Sequence, residues 1–160
     1  AGPDAGALDS GEAPDECTDG TVCTLQDGER GTDFIAPVGD EDPWTFQVPS
    51  AGSVIFLVVE NDADFSPVRL ELALFGPDGV AIQNERYQGT GKQRVELQIV
   101  AQAAGTYRLE VRDVGDDGAD RRNPYYVSFS LLSETDNNES NDTAAEATAL
   151  TPGAATSGTI

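Results

Sequence analysis

The sequence predicts an all-β protein, an antiparallel β-sandwich of about eight strands. Three observations carry that expectation: apolar residues recur at every second position from Thr32 onward, turn-forming pairs separate the alternating runs, and helical periodicity is nearly absent.

Taken in order, Trp44, Phe46 and Val48 alternate with Thr45 and Gln47, which makes a strand with one wet face. Ser53 to Val59 is apolar on both faces and reads as a central strand covered from both sides, and Val80 to Ile82 as a shorter one. Between these two, Val68, Leu70, Leu72 and Leu74 alternate with Arg69, Glu71 and Ala73. Alternation resumes at Val95, Leu97 and Ile99, at Tyr107, Leu109 and Val111, and at Tyr125, Val127, Phe129 and Leu131. Turns are expected at Pro49 to Gly52, Gly76 to Gly79, Gln88 to Gly91, Ala104–Gly105 and Asp116 to Gly118, where Gly, Pro and Asp supply the required backbone geometry. Phe56, Leu72, Leu97, Leu109 and Phe129 are the expected core, joined by Trp44, Tyr107 and Tyr125 on the apolar phase. Only Thr143 to Leu150 has the pattern of a helical turn, with Asn141 or Asp142 as its cap.

The end of the chain repeats its beginning. Laid on Glu16 to Ile35 without a gap, Asn141 to Ile160 places Thr143 on Thr18, Leu150 on Leu25, Gly153 on Gly28 and Ile160 on Ile35. The chain therefore divides into an acidic leader expected to be disordered (1–15), one complete module (16–133), and a linker with the opening of a second copy (134–160). In that register Cys17 and Cys23 fall on Asp142 and Thr148, so one copy is expected to staple covalently what the other ties by polar or metal contacts.

A net charge of −20, with 9 Lys and Arg against 29 Asp and Glu, opposes binding to nucleic acid or to an anionic membrane. The acidity reads as a solvated surface or, more sharply, as divalent-cation loops. No apolar run reaches the length of a membrane span, since Val54 to Val59 runs directly into Glu60 and Asn61. The only cysteines, Cys17 and Cys23, are spaced for a local disulfide in an oxidising compartment; the competing reading is a free or metal-bound pair, which without His cannot complete a tetrahedral zinc site.

Four segments resemble one family. Gly39–Asp40–Glu41–Asp42–Pro43–Trp44–Thr45–Phe46 is similar to the D-x-D-x-aromatic-x-F opening of the bacterial pre-peptidase C-terminal (PPC) domain, a family related to the collagen-binding domains of clostridial collagenases. Leu70 to Gly79 resembles its L-x-L-x-L-[FY]-x-P-x-G hairpin, Ala104 to Val111 its A-G-T-Y-x-[LV]-x-V strand, and Glu139 to Thr143 the E-[PS]-N-D-T that begins such a domain. The resemblance implies a jelly-roll-like sandwich on a secreted or cell-surface bacterial protein, without catalysis of its own. It also implies calcium, carried here by Glu139, Asn141 and Asp142 in the second copy and by Asp40 and Asp42 in the first. The first copy departs from the pattern, with Pro14, Glu16 and Cys17 where Glu139, Asn141 and Asp142 stand later.

Further acidic clusters are Glu60, Asn61, Asp62 and Asp64, and Asp113, Asp116, Asp117 and Asp120; neither has EF-hand spacing, and ordinary turn chemistry accounts for such residues. With no His there is no Ser-His-Asp triad and no imidazole base, so the chain is not read as an enzyme. Tyr87 and Tyr126 fall off the apolar phase and are the candidate binding aromatics.

These readings describe a non-catalytic secreted or cell-surface module with a structural or binding role in a larger repeat protein or assembly. The alternatives are a collagen- or polysaccharide-binding accessory domain of an extracellular hydrolase, and a subunit whose C-terminal strand, Ser157 to Ile160, completes a neighbouring chain. The expected partners are an extracellular protein or polysaccharide, or further copies of the module, with no membrane insertion.

Overall fold

The computed structural model describes Cys17 and residues 21–132; the leader 1–15 and the segment 134–160, with Glu139, Asn141 and Asp142, lie outside the described residues. Among the described residues nine strands follow one another: β1 (Cys23–Thr24), β2 (Arg30–Ile35), β3 (Glu41–Val48), β4 (Val54–Asn61), β5 (Leu70–Phe75), β6 (Ala81–Arg86), β7 (Gln93–Val100), β8 (Gly105–Asp113) and β9 (Asp120–Leu132). They form a five-stranded sheet, β1-β3-β8-β5-β6, against a four-stranded sheet, β2-β9-β4-β7. Every pairing is antiparallel except that of the two-residue β1 with β3, which is parallel.

Period-two alternation produces the core directly. Register places Trp44 opposite Leu109 and Phe46 opposite Tyr107 in one sheet, and Leu57 between Leu97 and Phe129 in the other. Their side chains meet between the sheets, where the Phe46 ring lies 4.2 Å from that of Phe129 and 5.8 Å from that of Tyr107. Gln93 of β7 adds a polar tie from one sheet to the other, its side chain accepting from Leu70 N at 2.8 Å and donating to Val68 O at 2.6 Å.

Two strand expectations need correction. Ile55, Leu57 and Val59 are the inward residues of β4, so Phe56 lies one position out of phase, half-buried on the outer face. Val80 to Ile82 is no central strand: β6 is the edge of the five-stranded sheet, with Val80 60% and Ile82 45% exposed. In both segments apolar residues stand on both phases, and alternation carries no information about which face is buried.

Acidic loop residues tie the chain to itself. Asp113 Oδ1 accepts from Arg69 N at 2.7 Å, and its Oδ2 from Asp117 N at 3.1 Å and Gly118 N at 2.7 Å. A Cβ on Gly118 would lie 2.6 Å from Pro67 O, so only glycine allows this close approach. Asp120 accepts from Arg122 N, Asn123 N, Asn123 Nδ2 and Ser66 Oγ at 2.8–3.0 Å. Burial pushes the Asp120 carboxyl upward, but these four donors outweigh it and hold the group below its ordinary value of 3.8. A depressed folded-state value means that the stabilisation is complete above the unfolded value and is lost as pH falls through the folded one. Stability is thus expected to fall on acidification below about pH 4, and Asp120→Asn to flatten part of that fall in urea titrations at stepped pH.

Candidate functional site

Two regions bring together the chemistry-bearing side chains. The first is a buried acidic end of the sandwich. Asp42 and Trp44 lie on the inward phase of β3, and Tyr125 on that of β9, so the sandwich brings them face to face. Trp44 Nε1 donates to the Tyr125 hydroxyl at 2.8 Å, and that hydroxyl donates to Asp42 Oδ2 at 2.7 Å. Burial first, and then the charges of Asp42 and Asp33, push the Tyr125 phenol well above its ordinary range, so it remains a neutral donor. Asp33, opposite Tyr125 in the β2–β9 register, accepts from Cys17 N at 2.6 Å and Phe34 N at 2.9 Å. Cys17 and Cys23 form a disulfide with 5.5 Å between their Cα atoms, and this staple fixes Cys17 over Asp33. Asp40, just before β3, accepts from Ala36 N at 2.9 Å across a turn.

The carboxylates of Asp33, Asp40 and Asp42 are all buried, and hard oxygen donors of this kind suit calcium. Among the described residues, however, the trio of metal-type ligands brought within 4.8 Å of one another is Cys17, Cys23 and Asp33. Both sulfurs of that trio are bonded to each other, so no thiolate remains to ligate. Asp40 and Asp42 thus contribute to an acidic end without forming a cage from the described residues alone. Further ligands would have to come from residues outside that set.

The second region is the outer face of the four-stranded sheet. One row across it reads Thr32, Tyr126, Glu60 and Arg94, and the next Arg30, Ser128, Val58 and Glu96. The Arg30 guanidinium sits 4.0 Å from the centre of the Tyr126 ring and pairs with Glu60 at 3.5 Å; Glu60 also pairs with Arg94, which pairs in turn with Glu96 at 2.5 Å. Tyr126 is therefore an aromatic held in position by flanking charges rather than by the core. Asn61, Asp62, Asn123 and Pro124 line a shallow depression of about 240 Å³ beside it. Tyr87 belongs to the other sheet: its backbone N donates to Leu70 O, and its half-buried ring packs against the core and covers Gly89. The two candidate tyrosines do not share a surface.

Asp33 and Arg30 were not legible as site residues. Asp33 offers one signal, a carboxylate inside a run that ends Phe34–Ile35, where an acid is stable only if hydrogen bonded. Arg30 offers none, because its partner ring is remote in sequence.

No family model and no curated protein matches the sequence. Among solved structures the chain is similar to the pre-peptidase C-terminal domain of a collagenase from Bacillus anthracis, with a TM-score of 0.50 and 18% identity, covering 75% of this chain and 98% of that one. It also aligns with CorA, a surface-associated copper-binding protein of Methylomicrobium album BG8, at a TM-score of 0.49 and 7% identity over 70% of this chain and 98% of that one. The fold is that of a PPC domain, a β-sandwich module.

Proposed function

We propose that the protein is a non-catalytic, secreted or cell-surface binding module whose ligand is an extracellular polysaccharide. The observation that carries this reading is Tyr126, set on an open sheet face with Arg30 over its ring and Glu60 and Arg94 beside it. An aromatic face flanked by fixed donors and acceptors is suited to the apolar face and hydroxyl edge of a sugar ring. Asp113 and Asp120 are committed to backbone amides, so these carboxylates hold the loops rather than act on a substrate. Affinity electrophoresis against a panel of extracellular polysaccharides is the test. Retardation by at least one of them is expected, and Tyr126→Ala should abolish it with an unchanged melting temperature; no retardation by any polysaccharide would remove the reading.

Calcium belongs to this proposal as a structural ion, with Asp40 and Asp42 of the acidic end as candidate ligands in the first copy and Glu139, Asn141 and Asp142, which lie outside the described residues, as candidates in the second. Calorimetry on chelator-treated protein is expected to show a local, modest heat at millimolar calcium and a raised melting temperature. Silence in both measurements leaves the acidic end a purely hydrogen-bonded structure.

A second reading, assembly by strand addition, is favoured by the open side of the sandwich. The edge strands β6 and β7 flank an apolar groove of about 590 Å³ in which Val80, Ile82 and Val100 are exposed. Exposed edges of this composition accept an added strand. A mass by light scattering that falls to the monomer on Ile82→Lys would favour assembly.

A further inference from the structure

A groove of about 460 Å³ opens where the loop after β4 meets the first residues of β9, walled by Phe65 and Pro67 on one side and by Arg121, Arg122 and Asn123 on the other. Phe65 is 82% exposed, an unusual position for a phenyl ring on a soluble surface. Arg121 and Arg122 are exposed, and the ion pairs of the described residues are made by Arg30, Arg94, Arg108 and Arg112 instead. In a chain with 29 acidic side chains against 9 basic ones, two adjacent guanidinium groups without an ion pair among the described residues are conspicuous.

The groove is a built feature. Asp120 at its base is 6% exposed, and its Oδ2 accepts from Ser66, next to Phe65 in the chain, while its Oδ1 accepts from Arg122 N and Asn123 N. One carboxylate therefore ties both walls, through backbone amides on one side and the Ser66 hydroxyl on the other. The same contacts exclude one kind of occupant. Strand pairing between β2 and β9 shifts register over Arg121 to Pro124, the amides of Arg122 and Asn123 are already used by Asp120, and Pro124 has no N–H. This stretch presents no free ladder to an extended peptide, so recognition here must come from side chains. What the side chains offer is one apolar ring face and two planar, cationic forks.

Resting on the polysaccharide-binding reading, we infer that this groove binds a carboxylated sugar, a uronate unit of an acidic polysaccharide, stacking its pyranose ring on Phe65 and taking its carboxylate on Arg121 and Arg122. Guanidinium matches a carboxylate in two parallel hydrogen bonds, a geometry that a neutral hydroxymethyl group cannot reproduce. Asn123 joins this groove to the depression beside Tyr126, so a chain seated on one continues to the other.

Titration of the intact protein with trigalacturonate and trimannuronate, beside neutral cellotriose and a hexaglutamate peptide, tests the inference. At least one uronate trimer is expected to bind about tenfold more tightly than cellotriose, the scale of one charge-assisted hydrogen bond. Arg121→Gln with Arg122→Gln should erase that preference, the double lysine variant should restore part of it, and Phe65→Ala should weaken both sugars, all with unchanged melting temperatures. Equal binding of neutral and acidic trimers overturns the carboxylate inference but leaves the polysaccharide reading standing. Hexaglutamate binding as tightly as the uronates overturns it in favour of an acidic protein partner. Should no trimer bind while polysaccharide retardation still depends on Tyr126, this groove is not the site and the wider reading survives; loss of that retardation as well removes both.

Discussion

Leu109→Ala is expected to lower the free energy of unfolding by about 2–5 kcal/mol, the range for emptying a leucine site in a closed core. Leu109 is fully buried on β8, the strand at the middle of the five-stranded sheet, with Trp44 opposite it on β3 and Leu74 on β5. Both neighbouring strands are pinned by continuous ladders, so the site has little freedom to collapse into the void. The control is Phe56→Ala. Although phenylalanine is larger, Phe56 stands half-buried on the outer face of β4 between Ser130 and Gln98, and its truncation should cost clearly less. Urea unfolding at equal protein concentration compares the two. A loss from Phe56→Ala as large as that from Leu109→Ala would show that the outer face of the four-stranded sheet is covered.

That comparison also shows how far the sequence could be read. Leu97, Leu109 and Phe129 stand between polar neighbours and Leu72 between Glu71 and Ala73, so the phase of each strand is explicit and all four are buried. Val54 to Val59 has no polar residue to mark the wet face, and there the phase of Phe56 was lost. Val80 to Ile82 failed for another reason. Whether a strand lies at a sheet edge depends on the order in which strands pair, and among the described residues β6 follows β5 in sequence with no strand beyond it. The acidic loops were legible as turns, because Asp followed by Gly names its own backbone geometry, whereas the ties of Asp113 to Arg69 and of Asp120 to Ser66 cross between loops.

The candidate binding residues divide along the same line. Tyr126 is visible as an aromatic on the polar phase, and the structure places it on the open face; Tyr87, equally off-phase, follows β6 and folds back onto the core. Phe65 lies in the loop after β4 and the Arg121–Arg122 doublet at the start of β9, far apart in sequence, and the tie through Asp120 makes them one surface.

Tyr125→Phe is expected to destabilise the protein by about 2–4 kcal/mol although it removes a single oxygen, because a buried polar group deprived of its partner loses roughly 1–3 kcal/mol. The hydroxyl serves two groups at once. It is the acceptor for Trp44 Nε1 and a donor to Asp42 Oδ2, and Tyr125, Trp44 and Asp42 are all buried. Trp44→Phe removes the indole donor and also the ring packed over Gly31, where a Cβ would come within 2.5 Å of the indole. Once the indole donor is gone, removal of the phenol oxygen strands only the bond to Asp42, so the two losses should fall short of additive by about 1 kcal/mol. The alkaline limb gives an independent reading. Because burial and the two nearby carboxylates raise the Tyr125 phenol in the folded state, its contribution is complete below the unfolded value near 10 and is lost as pH rises beyond it. The wild-type protein should therefore lose stability more steeply above pH 10 than Tyr125→Phe does. Strict additivity in the cycle, together with parallel alkaline curves, would mean that the three side chains touch without being energetically coupled.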